Sequence, residues 1–451
     1  MVKVEGLRRF GRIIGIVTLA WMLGLGWVPP TAASAHVRRH HHRRHASGRR
    51  GGPLYHAVLL EDADTGRVLY EQNAELVWPP ASMAKMMLLL VAADQIRAGR
   101  FSLSSPVVIS AHAAYTHGSH LGLRAGDVYP LGELMKAALI RSANDAAVAV
   151  AEKIGGSVEG TVRMMNQRAQ TLGMYSTHYE TVDGLPPEPG HDVDYTTALD
   201  LATLARAVIH NTNLLEWSSM ETAPFDNGVT TLRNTNHLVG HFEGVDGLKT
   251  GFTVKAGFNL TATARRGDMR FVSVVLGAPS NAQRFTQTAR LLNWGFEYFE
   301  KVQLLKRGQP LPVHVQVESG PLIQPVSQRD IAVVVPKSAV AGVKFRYNVP
   351  SLVNGPVTFG ESLGQVTVLD GDEVMTREDA VCPIAFGAPA RITVEPASAD
   401  GVTAPASGVQ PISASTPATS VLTTLPAANA PAANTPGLTI PASTGQTEET
   451  R

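Results

Sequence analysis

A single cysteine, Cys382, stands in 451 residues, which excludes an intramolecular disulfide and reads as packing rather than chemistry. No His-Glu-x-x-His or comparable ligand spacing is present, so no metal or other cofactor is expected. Charge of one sign is also missing: the formal net charge of +1 gives no global bias towards nucleic acid or acidic partners. No internal repeat organises the chain. What is there is an ordinary soluble composition, 44% hydrophobic, in a chain long enough to bury a large core.

The two ends differ from the middle. Lys3, Arg8, Arg9 and Arg12 precede an apolar stretch from Ile13 to Val28, and Ala33-Ser34-Ala35 offers a small-residue cleavage site. Residues 1–35 therefore read as a signal peptide, with an uncleaved anchor as the alternative, and either outcome exports the rest of the chain. Residues 36–52 form a His/Arg-rich tract that reads as a disordered basic tether; contact with anionic lipid, wall phosphates or divalent metals is the alternative. From 395 to 451 Ala, Pro, Thr and Ser dominate, a composition too poor in large apolar residues to fold. Leu438 to Arg451 shows no amphipathic face for a membrane surface.

Three short polar signatures stand in order between these ends: Ser82-Met83-Ala84-Lys85, Ser142-Ala143-Asn144 and Lys249-Thr250-Gly251. Ser82 follows Pro79-Pro80 and opens an apolar run to Ala93, which predicts a helix N-terminus where the dipole and free N–H groups favour negative charge near the hydroxyl. Lys85 then lies one turn on, on the same face. An N-cap serine with a surface lysine is the plain reading of that pair alone. Ser142, Asn144 and Asp145 interrupt the helical apolar pattern of Leu131 to Ile154, and buried polar groups need partners, so the segment reads as a turn between helices or a polar corner facing a cleft. Lys249-Thr250-Gly251 belongs to one of three runs that alternate or run apolar like antiparallel strands, with Gly251 allowing a substrate backbone to approach, or with Lys249 and Thr250 as ordinary edge-strand residues. A serine, two lysines and an amide in this order suit acyl transfer through a covalent ester.

The combination resembles the penicillin-binding protein and serine β-lactamase superfamily, and more narrowly the low-molecular-mass D-alanyl-D-alanine carboxypeptidases. Ala57 to Asn73, Val182-Asp183-Gly184-Leu185, Asp246 to Leu260, Asp330 to Pro336 and Gly364 to Val368 extend the likeness over about three quarters of the chain. The resemblance implies an α/β fold with a β-lactamase/transpeptidase-like catalytic domain at 53–300, an antiparallel sheet flanked by helices, followed by a small all-β sandwich at 301–394. It implies that Ser82 attacks the bond between two D-alanines of a peptidoglycan stem peptide. Lys85 accepts its proton, after burial and the neighbouring cation Lys249 have lowered the lysine's pKa. Ser142 relays a proton to the leaving amine and Asn144 holds the substrate backbone. The backbone N–H groups of Ser82 and Phe252 receive the oxyanion, while Thr250, with Arg270, binds the terminal carboxylate. β-Lactams are the implied inhibitors and the periplasm or another extracytoplasmic space the implied location.

Ala84 departs from the family pattern, standing where threonine is frequent, and Asp183 stands where relatives carry His or Asp. No Glu–Asn pair of the class A β-lactamase type can be placed. The leading expectation is a D,D-carboxypeptidase; a D,D-endopeptidase and a penicillin- or wall-binding protein without turnover are the alternatives.

Overall fold

A computed structural model describes residues 53–186 and 193–384, together with the backbone of Thr419–Thr424. The expected signal peptide, the His/Arg tract and the remainder of the tail lie outside the described residues.

The catalytic part is built on one five-stranded antiparallel sheet. Its strands are β1 (Ala57–Asp62), β2 (Val68–Gln72), β3 (Val245–Thr253), β4 (Gly257–Arg266) and β5 (Met269–Ala278), in the order β2-β1-β5-β4-β3. Successive side chains of a strand point to opposite faces. Leu59, Val272, Val274 and Leu276 accordingly join the core of the helical region, whereas Val58, Leu60, Phe271 and Val275 pack on the other side with Leu291, Leu292 and Trp294. The helical region contains α1 (Lys85–Arg97), α2 (Leu131–Ile140), α3 (Asn144–Gly155), α4 (Val158–Thr171) and α5 (Ala198–Asn211). The final helix, α6 (Asn281–Tyr298), lies against the opposite face of the sheet, as its apolar spacing predicts. Leu131 to Ile154 is thus two helices with the Ser142 turn between them.

The second domain is all β. A five-stranded sheet runs Val326–Ser327, Glu373–Val381, Ser362–Asp370, Val343–Val349 and Thr419–Thr424, with two smaller sheets around the same apolar core. The strand Thr419–Thr424 differs from the expectation that the whole tail is unfolded. Its sequence, Thr-Ser-Val-Leu-Thr-Thr, is rich in β-branched residues, and its backbone pairs antiparallel with Val343–Val349. The two domains meet at the turn between β1 and β2. Arg67 donates to the Val334 carbonyl at 3.0 Å and reaches Asp370 at 3.0 Å, and Lys301 pairs with Asp64 at 2.6 Å.

Candidate active site

The nucleophile candidate sits in a short 3-10 turn, Ala81–Ala84, that leads into α1. Ala81 has φ of 51°, a left-handed conformation that costs a non-glycine residue about 1–2 kcal/mol. Surrounding contacts hold it there. Asn259, fully buried on β4, donates to the Pro79 carbonyl at 2.9 Å and accepts from the Gly277 N–H at 2.8 Å, fastening the lead-in to the sheet. Glycine is required at two neighbours. A Cβ on Gly184 would overlap the Ala81 carbonyl oxygen, and one on Gly251 would lie 2.6 Å from the Pro80 oxygen. Gly251 is therefore explained by close approach of the protein's own backbone, an alternative to the substrate approach expected from the sequence.

The first turn of α1 brings the Lys85 ammonium nitrogen to 3.0 Å from the Ser82 hydroxyl and 2.7 Å from the Asp183 carbonyl. Lys85 is wholly buried, and that burial lowers its pKa to about 8, against the opposing pull of Asp183, Asp194 and Asp145. The fall from 10.5 corresponds to a penalty on the ammonium of about 3 kcal/mol, leaving about a tenth of the amine neutral at pH 7. The expected help from Lys249 is not among the causes; the influence runs the other way. Lys249, also buried, is pushed well down first by desolvation, then by the charges of Lys85 and Arg284.

The second signature is held from α2 and α3. Ser142 has φ of 64° in the turn between them, and Asn144 opens α3. The Asn144 side-chain amide donates to the His117 carbonyl at 2.6 Å, while its buried Oδ1 has no partner among the described residues. Asp145 accepts the backbone N–H groups of Leu121, Gly122 and Leu123 at 2.9–3.1 Å and thereby fixes the loop facing Asn144.

On the edge strand β3, Lys249 donates to the Thr250 carbonyl at 3.0 Å, and the Thr250 hydroxyl donates to that of Thr235 at 2.8 Å. Thr235 in turn donates its N–H to the Ile140 carbonyl, tying the strand's surroundings to the Ser142 turn. Phe252 is half exposed and packs on Phe258 with ring centroids 4.3 Å apart.

Arg270 is not brought to this cluster. It is committed to Asp246 at 2.8 and 2.9 Å and to the Thr263 hydroxyl at 3.0 Å. Arg270 pairs with Arg265 on β4 and Thr250 with Leu260, so five residues of strand, about 17 Å, separate their levels. The arginine that does reach β3 is Arg284: its guanidinium donates to the Gly251 carbonyl at 3.2 Å and stacks over the rings of Phe258 and Phe285. Burial lowers even this guanidinium to about 10. The signal was present in the sequence. Arg284, Thr288, Leu291 and Gly295 recur at helical spacing and are buried on α6, beside the buried Leu292 of the more evident apolar spacing Phe285, Ala289, Leu292 and Phe296.

Three buried basic groups, Lys85, Lys249 and Arg284, thus interact with one another electrostatically, and Lys85 touches the half-buried Ser82 hydroxyl. Among the described residues none of the three has a carboxylate within 4 Å. Such a site favours an anionic ligand and can activate a hydroxyl through a neutral amine.

Comparison with known proteins places the chain in a family. Residues 55–280 match the family described as D-alanyl-D-alanine carboxypeptidase, and residues 299–385 match the penicillin-binding protein 5 C-terminal domain. The D-alanyl-D-alanine carboxypeptidase DacF of Bacillus subtilis is 33% identical over 73% of this chain and 85% of its own length. DacA of Escherichia coli is 32% identical over 71% of this chain and 81% of its own. Penicillin-binding protein 5 of Haemophilus influenzae superposes with a TM-score of 0.66 at 27% identity, covering 74% of this chain and 97% of that one. Penicillin-binding protein 6B of E. coli gives 0.59 at 30% identity, covering 72% and 95%. From nucleophile turn to trailing β domain, the chain belongs to the D-alanyl-D-alanine carboxypeptidase family.

Proposed function

We propose that this protein is a serine-type D,D-carboxypeptidase that removes the terminal D-alanine from peptidoglycan stem peptides and is acylated by penicillins. The observation that carries the reading is the 3.0 Å contact between the Ser82 hydroxyl and a buried Lys85 amine whose pKa has fallen to about 8. Family membership supplies the reaction class.

The peptide's terminal carboxylate lies against Thr250, Lys249 and Arg284, basic groups that have no carboxylate partner among the described residues and whose charge an incoming anion would favour. Its penultimate carbonyl then faces Ser82, with the Asn144 side-chain amide holding the substrate backbone. Neutral Lys85 takes the hydroxyl proton as Ser82 Oγ bonds to the carbonyl carbon. The backbone N–H groups of Ser82 and Phe252 stabilise the oxyanion, each such donor contributing about 3–4 kcal/mol. The tetrahedral species collapses by breaking the C–N bond, and the departing amine of D-alanine takes up a proton relayed through Ser142. Water then hydrolyses the ester and restores Ser82. Cleavage after Ala35 and placement outside the cytoplasmic membrane complete the reading; among the described residues no helix is long and apolar enough to cross a membrane.

The test is release of free D-alanine from a pentapeptide stem, run beside a cross-linked dimer. D-Alanine release with the dimer left intact is the expected result. Preferential dimer cleavage would make the protein an endopeptidase, and penicillin labelling with neither reaction would make it a binding protein. Ser82→Ala should lower both labelling and hydrolysis by at least about a thousandfold; labelling retained by that variant would refute the assignment.

A further inference from the structure

The carbonyl that receives the Lys85 ammonium belongs to Asp183, in a turn that spans Glu180 to Gly184 and lies in no regular element. The turn is closed from behind by Asp194. One carboxylate oxygen of Asp194 accepts the N–H groups of Glu180 at 2.6 Å and Thr181 at 2.9 Å; the other accepts the Thr181 hydroxyl at 2.7 Å. That hydroxyl accepts in turn from the Gly184 N–H at 2.9 Å. Gly184, with φ of 79°, abuts the Ala81 carbonyl, one residue before the nucleophile. A single carboxylate thus governs two contacts of the reacting pair. One is the carbonyl on Lys85, and the other is the backbone bed beneath Ser82.

We propose that Asp194 is a positioning residue for proton transfer between Ser82 and Lys85, acting through the Glu180–Gly184 turn. The inference rests on the function proposed above but needs only its ester-forming half. Because Asp194 is only 5% exposed, each of its hydrogen bonds is shielded from water and loss of the acceptor leaves buried N–H groups unpaired. The groups around it are Asp183 on the same turn, Lys85 from α1, the buried Tyr179 just before the turn, and Lys255 across a small cavity that Asp194 also lines. Burial raises Asp194 to about 6, so it carries its charge at neutral pH, and that charge favours the ammonium form of Lys85. Two effects should therefore separate. Loosening the turn lowers the rate plateau, while loss of the charge alone moves the Lys85 titration towards acid.

The full-length protein, Asp194→Asn and Thr181→Val should be compared by the second-order rate of acylation by benzylpenicillin as a function of pH, with D-alanine release as a second readout. Asp194→Asn is expected to lower the acylation plateau about tenfold and to move the acid limb down by about half a pH unit. Its KM for the pentapeptide should change less than about twofold, because Asp194 lies behind the turn rather than against substrate. Thr181→Val keeps the carboxylate but cuts the link to Gly184. It should lower the plateau by a smaller factor and leave the limb in place. A wild-type plateau and limb in Asp194→Asn would overturn the proposal; if that variant does not fold, a wild-type plateau in Thr181→Val overturns it. Failure of the unmodified protein to release D-alanine would count against the function proposed above, and leaves the acylation comparison valid.

Discussion

The two domains enclose comparably apolar cores and differ in what polar material they bury. Around the catalytic sheet, Lys85, Asn144, Asp145, Asp183, Asp194, Lys249 and Arg284 are all withdrawn from water. In the trailing β domain, the buried polar residues among those described are Ser327 and Thr367, and neither is charged. Burying an ion costs several kcal/mol unless partners offset it. The first domain therefore carries a stability burden that the second does not, and the burden is concentrated where a hydroxyl must be activated.

If that contrast reflects division of labour, removing a buried charge from the first domain should destroy activity without harming the fold. Lys85→Met is the largest case: acylation by benzylpenicillin should fall about a thousandfold, while the melting temperature stays level or rises as a desolvation penalty disappears. In the unmodified protein the same penalty sets the pH profile. Acylation needs the neutral amine, so its rate should fall about tenfold per pH unit below about 8 and level off above it. An acid limb near the ordinary lysine value would break the comparison.

Arg284→Gln should come next, raising KM for a D-alanine-terminated peptide about tenfold or more, since a buried cation facing the carboxylate is lost. Arg270→Gln sharpens the point by contrast. It removes a partly buried ion pair with Asp246, so it should cost about 1 kcal/mol of stability in a denaturant titration and leave both rate constants unchanged. The smallest expected effect lies at the junction: Arg67→Ala should let the β domain melt earlier in calorimetry, with acylation within about twofold of the parent.

Local chemistry was legible in the sequence and distant packing was not. Ser82 and Lys85 are one turn apart, so their meeting follows from helix geometry once an apolar run is recognised. The polar interruption at Ser142, Asn144 and Asp145 announced a turn for the same reason. Arg284 was hidden because its identification needs the angular phase of α6 on the sheet, and a one-residue rotation of the apolar stripe changes which residue faces inward. Arg270 was misplaced because strand register, here fixed by pairing with Arg265 rather than near Leu260, is a tertiary property. Asn259, Thr235 and Asp194 belong to the same class: each acts through a hydrogen bond to a residue at least ten positions away in the chain.

The bed beneath the nucleophile is backbone against backbone, with Gly184 on one side of Ala81 and Gly251 on the other. Exchanging side chains there therefore cannot tune the pitch of that serine, since even one methyl collides with a main-chain oxygen. Variation that spares this bed falls instead on exposed positions of the same edge such as Phe252 and Val254, where bulk can change without unseating the nucleophile.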